Sequence, residues 1–165
     1  MTRRRRSGRV FAWIAFGLGL GHAAFSFYWA VGGMWLLDTV GQWAVEAQRE
    51  TPGLALAVLL SITAVKVAAA IVPVAAQYRK LDHRRFWRAI CWIGGVGIAI
   101  YGAFNTVVAL AVLARVIQPA GGYDARAMIG HAFIWGPWFF LWGAALVASL
   151  VFTRGLQPDS SMHRA

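Results

Sequence analysis

Four long apolar stretches are the feature that most limits what this chain can fold into. They predict helices over residues 10–32, 54–77, 87–115 and 127–153. Each stretch reaches or exceeds the ~20 residues that a helix needs to cross the hydrocarbon core of a bilayer. None shows the alternation of apolar and polar residues that marks the strands of a membrane barrel. The sequence therefore predicts an all-α integral membrane protein, a four-helix antiparallel bundle that occupies residues 10–154 as a single transmembrane domain.

The basic residues are distributed unevenly among the loops of this chain, whose net charge is +10. Most of them precede the first predicted helix or lie near the loop between the second and third: Arg3, Arg4, Arg5, Arg6, Arg9, Arg79, Lys80, Arg84, Arg85 and Arg88. The positive-inside rule predicts a multi-pass protein of the cytoplasmic membrane with both termini in the cytoplasm. Such clusters face anionic lipid headgroups. No nucleic acid partner is expected, because no folded nucleic-acid-binding module accompanies them.

The segments outside the four helices are short. Residues 1–9 are predicted to form a basic cytoplasmic N-terminus, and residues 155–165 a disordered cytoplasmic tail. The longest connection, residues 33–53, combines tryptophans and aliphatic side chains with acidic residues at helical spacing. We expect it to form a short amphipathic helix that lies on the outer surface between the first two helices and caps the bundle.

Lys66 stands near the middle of the second predicted helix, in the apolar run ITAVKVAAAIV. It lies about twelve residues, or ~18 Å, from either helix end, so its side chain cannot reach the headgroups and must face the bundle interior. A charge at this depth is costly and marks a functional site by default. The four predicted helices contain no Asp or Glu. Three resolutions are open: a neutral amine, an ammonium solvated by water and polar neighbours, or an anion supplied by Asp38 or by a bound ligand.

Other polar residues recur at helical spacing near the depth of this lysine. The candidate ligand-binding residues are His22, Ser26, Trp29, Asp38, Lys66, Tyr101, Asn105 and His131. His131 begins a stripe of tryptophans in the fourth helix, where Pro137 lacks an N–H group and predicts a kink. The cytoplasmic halves of the first and third helices are rich in small residues that allow close packing. We therefore expect a cup that opens outward rather than a channel.

The sequence carries no motif for a cofactor, a metal or a catalytic centre. Cys91 is the only cysteine, which excludes an intrachain disulfide and a CxxC pair. His22 and His131 differ in depth by a helix turn or more, which argues against a haem held between them. No histidine and carboxylate share a predicted helix at metal-ligand spacing. We therefore expect no cofactor, no metal and no catalytic residues.

Two segments resemble a known family. They are HAAFSFYWAVGGMWLLDTVG, residues 22–41, and WGPWFFLWG, residues 135–143. Both resemble a bacterial, actinobacterial-type domain-of-unknown-function family of small four-helix integral membrane proteins. The resemblance covers most of the chain and implies the same fold and membrane location, but no activity. The residues that fall on its motif positions are His22, Tyr28, Trp29, Asp38 and Trp138.

Three functions are compatible with these features. In the first, an outward-facing polar pocket binds or transports a small amphipathic or anionic molecule whose polar group meets Lys66. In the second, the chain is a structural or accessory subunit without a ligand of its own, as a homo-oligomer or beside another membrane protein. In the third, it is an enzyme that modifies a lipid or isoprenoid, with His22 and Lys66 as acid and base.

Overall fold

The computed structural model describes residues 3–78 and 82–153, and in these two segments the ordered elements are all helical. The helices follow one another as α1 (Arg3–Ala30), a 3-10 turn (Leu37–Thr39), α2 (Gln42–Glu50), α3 (Pro52–Gln77), α4 (Arg84–Leu113), α5 (Ala125–Gly130), a π-helical turn (His131–Trp135) and α6 (Gly136–Phe152). Four of the helical stretches are long and apolar enough to cross a membrane: Arg3–Ala30, Pro52–Ala76, Arg85–Leu113 and Ala125–Phe152. The predicted all-α fold with four long helices and a short helix between the first two is confirmed.

The first helix begins earlier than the sequence pattern indicates. The apolar stretch begins near residue 10, but α1 begins at Arg3. Arginine is a good helix former, so the basic residues continue the helix instead of preceding it. The predicted tail, residues 155–165, and the basic residues Arg79 and Lys80 lie outside the described residues. We call the end of the bundle that carries the α1 arginines the arginine end, and the opposite end, which carries α2, the α2 end.

The connection between α1 and α3 folds over the α2 end. The backbone turns away from the axis of α1 at Gly32, which has a φ of 95°. Leu36 then adopts a left-handed conformation, with a φ of 60°, before the 3-10 turn. Leu37 and Val45 are buried, whereas Trp43 is 68% exposed. The segment is amphipathic, and its apolar side covers the ends of the long helices. A buried cluster at this end joins the segment to the bundle: Trp29, Leu37, Ala44, Val45 and Trp135.

The long helices are not packed evenly around the bundle. Helix α1 packs along both α3 and α6, and α4 packs along α6, whereas α3 and α4 make a much smaller contact. A second buried cluster holds the arginine half together: Ala15, Cys91, Trp142, Ala145, Leu146 and Leu150. The bundle is therefore closed on three sides and weakly closed between α3 and α4.

Glycines let α4 and α6 approach each other closely. Gly95 and Gly102 on α4 face Gly136 and Gly143 on α6, and the members of each pair are seven positions apart in the sequence. A methyl group on Gly102 would lie 2.6 Å from the Gly136 carbonyl oxygen, and one on Gly143 would lie 2.6 Å from the Gly95 carbonyl oxygen. Because these neighbours are backbone atoms, neither helix can move a side chain to make room. We call these four residues the glycine seam.

A π-helical turn interrupts the fourth long helix. Pro137 has no N–H group to donate to the carbonyl of Phe133, so the α-helical ladder cannot continue through it. The Gly136 N–H instead donates to the His131 carbonyl, five residues back. The irregularity predicted at Pro137 therefore takes the form of a π-helical turn, which is wider than an α-helical turn. It presents both His131 and Trp135 toward the space enclosed by the other helices.

Candidate ligand-binding cavity

A cavity of about 520 Å³ lies in the α2 half of the bundle. Its volume is in the range of small-molecule sites. Helices α1, α2, α3 and the π-helical turn provide most of its walls, and α4 contributes Tyr101. Its polar lining side chains are His22, Ser26, Gln48, Thr51, Lys66, Tyr101 and His131, and the others are apolar or aromatic.

Lys66 lies at the deep end of this cavity and contacts two polar side chains of α1. Its Nζ donates a hydrogen bond of 2.7 Å to Ser26 Oγ, and lies 3.0 Å from His22 Nδ1. It also stands 5.7 Å from the centre of the Phe139 ring, within the range of a cation–π contact. His22 and Ser26 are buried, at 3% and 1% exposure. The pair on α1 therefore fixes where the amine of Lys66 is held.

An ammonium on Lys66 determines the tautomer of His22. An ammonium has three donors and no acceptor, so His22 Nδ1 must accept from it and the ring proton must reside on Nε2. Two of the three Lys66 donors then go to His22 and Ser26. The third is left for whatever enters the cavity. Within the described segments His22 Nε2 has no hydrogen-bond partner.

Aromatic rings surround His22 on the α6 side. Ring centres lie 4.1 Å away for Phe139, 5.6 Å for both Trp135 and Trp138, and 6.4 Å for Trp142. Sequence analysis had identified the tryptophan stripe but not Phe139, which lies one helical turn beyond Trp135 and could have been found by the same spacing. The α6 side of the imidazole is thus packed against aromatic rings, whereas Lys66 contacts its Nδ1.

Hydrogen bonds hold three of the indoles in place. Trp29 Nε1 donates to the Trp35 carbonyl at 2.9 Å, Trp135 Nε1 to Thr39 Oγ1 at 3.0 Å, and Trp138 Nε1 to the Leu18 carbonyl at 3.0 Å. Two of these acceptors belong to the segment between α1 and α2. The aromatic wall is therefore tied to the cover at the α2 end, and the cavity is preformed rather than loosely packed.

The other predicted site residues occupy different positions. Trp29, Tyr101 and His131 line the cavity, and His131 Nε2 lies 3.3 Å from the Val40 carbonyl oxygen. Asn105 is half-buried and donates its side-chain amide to the Tyr101 carbonyl within α4. Asp38 forms an ion pair with Arg126 and does not fold back onto Lys66. Of the eight candidates, Asp38 and Asn105 are the two that do not line the cavity.

The cup expected from the sequence is covered at its predicted mouth. The segment from the 3-10 turn through α2 contributes Leu37, Val40, Trp43, Ala44, Ala47 and Gln48 to the lining. Leu37 and Ala44 are buried there, and that gain favours folding of the segment over the cavity instead of along the surface. Sequence analysis had placed an amphipathic helix here but not its contribution to the cavity. The lining is also more apolar than the predicted polar pocket.

The charges near the cavity are few. Lys66 is the one formally charged residue among the lining side chains in the described part of the chain. Among residues 3–78 and 82–153, no group of three histidine, cysteine or carboxylate side chains is placed to hold a metal ion. The site's chemistry therefore rests on a single cation, its two polar neighbours on α1 and a wall of aromatic rings.

Asp124 fixes the loop that closes the α2 end. Its Oδ1 accepts from the N–H groups of Arg126 at 3.0 Å and Ala127 at 3.1 Å, and its Oδ2 accepts from the Gln42 N–H at 2.8 Å. It thereby caps α5 and the first turn of α2 together. The backbone N–H groups of Ala127 and Gln42 hold the pKa of the Asp124 carboxyl below its ordinary value.

Replacement of Asp124 with Ala should lower the melting temperature by roughly 2–4 °C at neutral pH, since loss of an N-cap costs ~1 kcal/mol. A carboxyl whose pKa is lower in the folded state stabilises the fold at pH values above its unfolded pKa of 3.8. This contribution is lost as the pH falls through the pKa of the folded state. The difference from wild type should therefore shrink below pH 3.8. Thermal unfolding in mild detergent measures it, with Asp124→Asn, which keeps an acceptor oxygen, as the control. A difference that is undiminished at strongly acidic pH would contradict the assignment, because the protonated carboxyl keeps only part of its acceptor capacity.

Comparison with known proteins places the chain in a family. A family model described as "Protein of unknown function (DUF3995)" matches residues 19–146, a range that contains every residue lining the cavity. No curated protein and no solved structure matches the chain. The description confirms an uncharacterised family, while the bacterial and actinobacterial part of the predicted resemblance stays a prediction. Because the matched range covers more than half of the chain, this protein belongs to the DUF3995 family of proteins of unknown function.

Proposed function

We propose that this protein binds or transports a small amphipathic molecule whose anionic group is held by Lys66. The observation that carries this proposal is one cation, with a donor left over, at the deep end of an otherwise largely apolar cavity. A charge in such surroundings is expensive unless it is compensated. An anionic group on a bound molecule compensates it, and the aromatic and aliphatic walls suit the apolar remainder of that molecule.

We also propose that the protein resides in the cytoplasmic membrane with both termini in the cytoplasm. The arginines of α1 and those at the start of α4 lie at the same end of the bundle. The positive-inside rule favours that end as the cytoplasmic one. The α2 end, with the cavity, then lies toward the outer side, and the exposed Trp35 and Trp43 fit the headgroup region there.

Native mass spectrometry of the full chain in mild detergent tests the binding role. The wild type should carry a discrete added mass. Lys66→Met should weaken its retention by roughly tenfold or more, because a hydrogen bond to a charged group is lost. The melting temperature should change little, since removal of the costly charge offsets the loss of the two hydrogen bonds. A matched control is Ser61→Ala on the exposed side of α3, whose hydroxyl bonds only its own helix at the Ala57 carbonyl.

Each other result of this experiment contradicts the binding proposal. An added mass that Lys66→Met retains would remove Lys66 from recognition. A bare wild-type chain, alone or in a defined complex with another protein, would favour the structural or accessory role. A chemically altered ligand that accumulates with wild type and not with His22→Ala would favour the enzymatic role, in which His22 and Lys66 exchange protons across their 3.0 Å contact.

A further inference from the structure

The wall of the cavity is incomplete between α3 and α4. Helix α3 contributes Leu54, Ala55, Val58, Leu59, Ile62 and Lys66 to the lining, whereas α4 contributes Tyr101. Ile62 is 39% exposed and Tyr101 is 52% exposed, although both lie inside helices that are long and apolar enough to cross a membrane. In a bilayer, what touches these side chains at that depth is hydrocarbon. Together with the small contact between α3 and α4, this exposure points to an opening of the cavity toward acyl chains.

The end that would admit water is partly covered: the lining residues Trp43 and Leu54 are 68% and 64% exposed there, but other lining residues are buried. The 3-10 turn and α2 lie over the cavity, with Leu37 at 2% exposure and Ala44 at 9%. Trp135 is bonded to Thr39, and Asp38 to Arg126, so the cover is tied to both the π-helical turn and α5. Movement of this cover would break those contacts, whereas entry between α3 and α4 breaks none of them. Access from the bilayer is thus the route that leaves the contacts of the cover intact.

The charge and the volume of the site limit what can occupy it. One cation with one remaining donor suits a single monoanionic group. A cavity of about 520 Å³ accommodates one chain-like or drug-sized molecule rather than a lipid with two acyl chains. The contact of Lys66 with Ser26 at 2.7 Å and with His22 at 3.0 Å leaves the anion to approach from the cavity side. A carboxylate at the end of a long apolar chain meets these conditions.

We propose that the ligand is a long, single-chain carboxylate that is resident in the membrane and enters sideways between α3 and α4. Its carboxylate binds the free donor of Lys66, and its chain lies along the apolar wall of α3 and leaves through the opening at Ile62 and Tyr101. This inference rests on the proposed binding function and specifies both the class of the ligand and its route. A free fatty acid of the bilayer and a longer isoprenoid acid share this chemistry.

Quenching of tryptophan fluorescence by a brominated chain tests the proposal in vesicles of neutral phosphatidylcholine. The probe is 9,10-dibromostearate, because Trp29 and Trp135 line the cavity. The full-chain protein should show a saturable component of quenching that Lys66→Met loses and Ser61→Ala keeps. The corresponding dibromo alcohol, which lacks the anion, should show only the unsaturable component. Stearate should compete with the probe, and butyrate added to the aqueous phase should not.

The sideways route is tested by narrowing the opening. Ile62→Phe should slow the onset of saturable quenching several-fold, because it adds bulk between α3 and α4. Val65→Phe is the matched control, since Val65 lies on the same helix, is 69% exposed and does not line the cavity. Equal slowing by the two variants, or slowing by neither, would overturn the sideways route.

Failure of this inference can be told from failure of the binding function. Competition by butyrate that depends on Lys66 would overturn the long-chain, membrane-resident class and leave an anion site at Lys66 intact. Absence of saturable quenching, combined with a Lys66-dependent added mass in native mass spectrometry, would also overturn the long-chain class and leave the anion site at Lys66 intact. Stronger competition with the probe by a long isoprenoid acid than by stearate would retain the proposal and identify the source. Loss of both the quenching and the added mass would remove both proposals.

Discussion

Gly102→Ala should lower the free energy of unfolding by about 3 kcal/mol, at the upper end of what overpacking costs. The new methyl group would meet the Gly136 carbonyl oxygen at 2.6 Å and the carbonyl carbon of Phe139 at 2.9 Å. These are backbone atoms of α6, so the strain can be relieved only if α4 and α6 separate along the glycine seam. The expected result is a melting temperature lower by roughly 6–12 °C in mild detergent.

The control for this prediction lies on the same helix. Gly97 has open space where a methyl group would be added. Gly97→Ala should therefore leave the melting temperature unchanged or raise it slightly, because alanine restricts the unfolded chain and favours the helix. Gly143→Ala, on the other side of the glycine seam, should resemble Gly102→Ala. Equal melting temperatures for the variants of Gly102 and Gly97 would show that the close approach of α4 and α6 is not a constraint.

His22→Leu should destabilise the protein by about 2–3 kcal/mol, because a hydrogen bond to a charged and largely desolvated group is lost. Lys66 would keep Ser26 Oγ as its polar partner at 2.7 Å but lose the imidazole nitrogen at 3.0 Å. Leucine still fills much of the space between the aromatic rings of α6. The loss should therefore come from the stranded amine and not from a cavity, and thermal unfolding in mild detergent measures it.

A double variant separates these two origins. In His22→Leu with Lys66→Met, neither the stranded amine nor the unpaired imidazole nitrogen remains, so stability should return to the wild-type level or exceed it. The coupling energy between the two positions should be about 2 kcal/mol, within the range for residues in direct contact. If the double variant is as unstable as His22→Leu alone, the cost lies in packing against Phe139 and the tryptophans instead. Ser26→Ala should give a smaller loss, since the hydroxyl is one of two partners.

The helices of this protein can be predicted from its sequence because a long apolar run has few alternative structures to a helix. A run such as 54–77 satisfies its backbone hydrogen bonds internally only as a helix, whatever its neighbours do. The partners of Lys66 are also partly predictable from the sequence. The predicted apolar helices contain no acidic residues, so an interior lysine must contact neutral polar side chains. His22 and Ser26 share one face of α1 and are its partners in the structure. The start of α1 at Arg3 cannot be read from hydropathy, because the apolar stretch begins several residues after the helix does.

The shape of the cavity was beyond sequence analysis for physical reasons. Its cover depends on how the segment from Leu37 to Gln48 turns back, which a positive φ at Leu36 decides and composition does not. Its aromatic wall depends on the π-helical turn, which shifts the orientation of His131 and Trp135 relative to α6. Asp38 follows the tryptophan-rich segment and is a candidate site residue by sequence, but it pairs with Arg126, which lies far away in the chain. Tertiary contacts of this kind leave no local periodic signal.

The weak contact between α3 and α4 has a consequence for how the bilayer acts on this protein. The other three sides of the bundle are built from protein, including the glycine seam, and their spacing is fixed by packing. In the membrane placement proposed above, the neighbouring lipids complete the wall on the fourth side. The width of the proposed opening would then vary with acyl-chain order and lateral pressure, so that stiffer membranes press α3 toward α4 and softer ones let them part. On that proposal, occupancy of the cavity would depend on the membrane as much as on the protein.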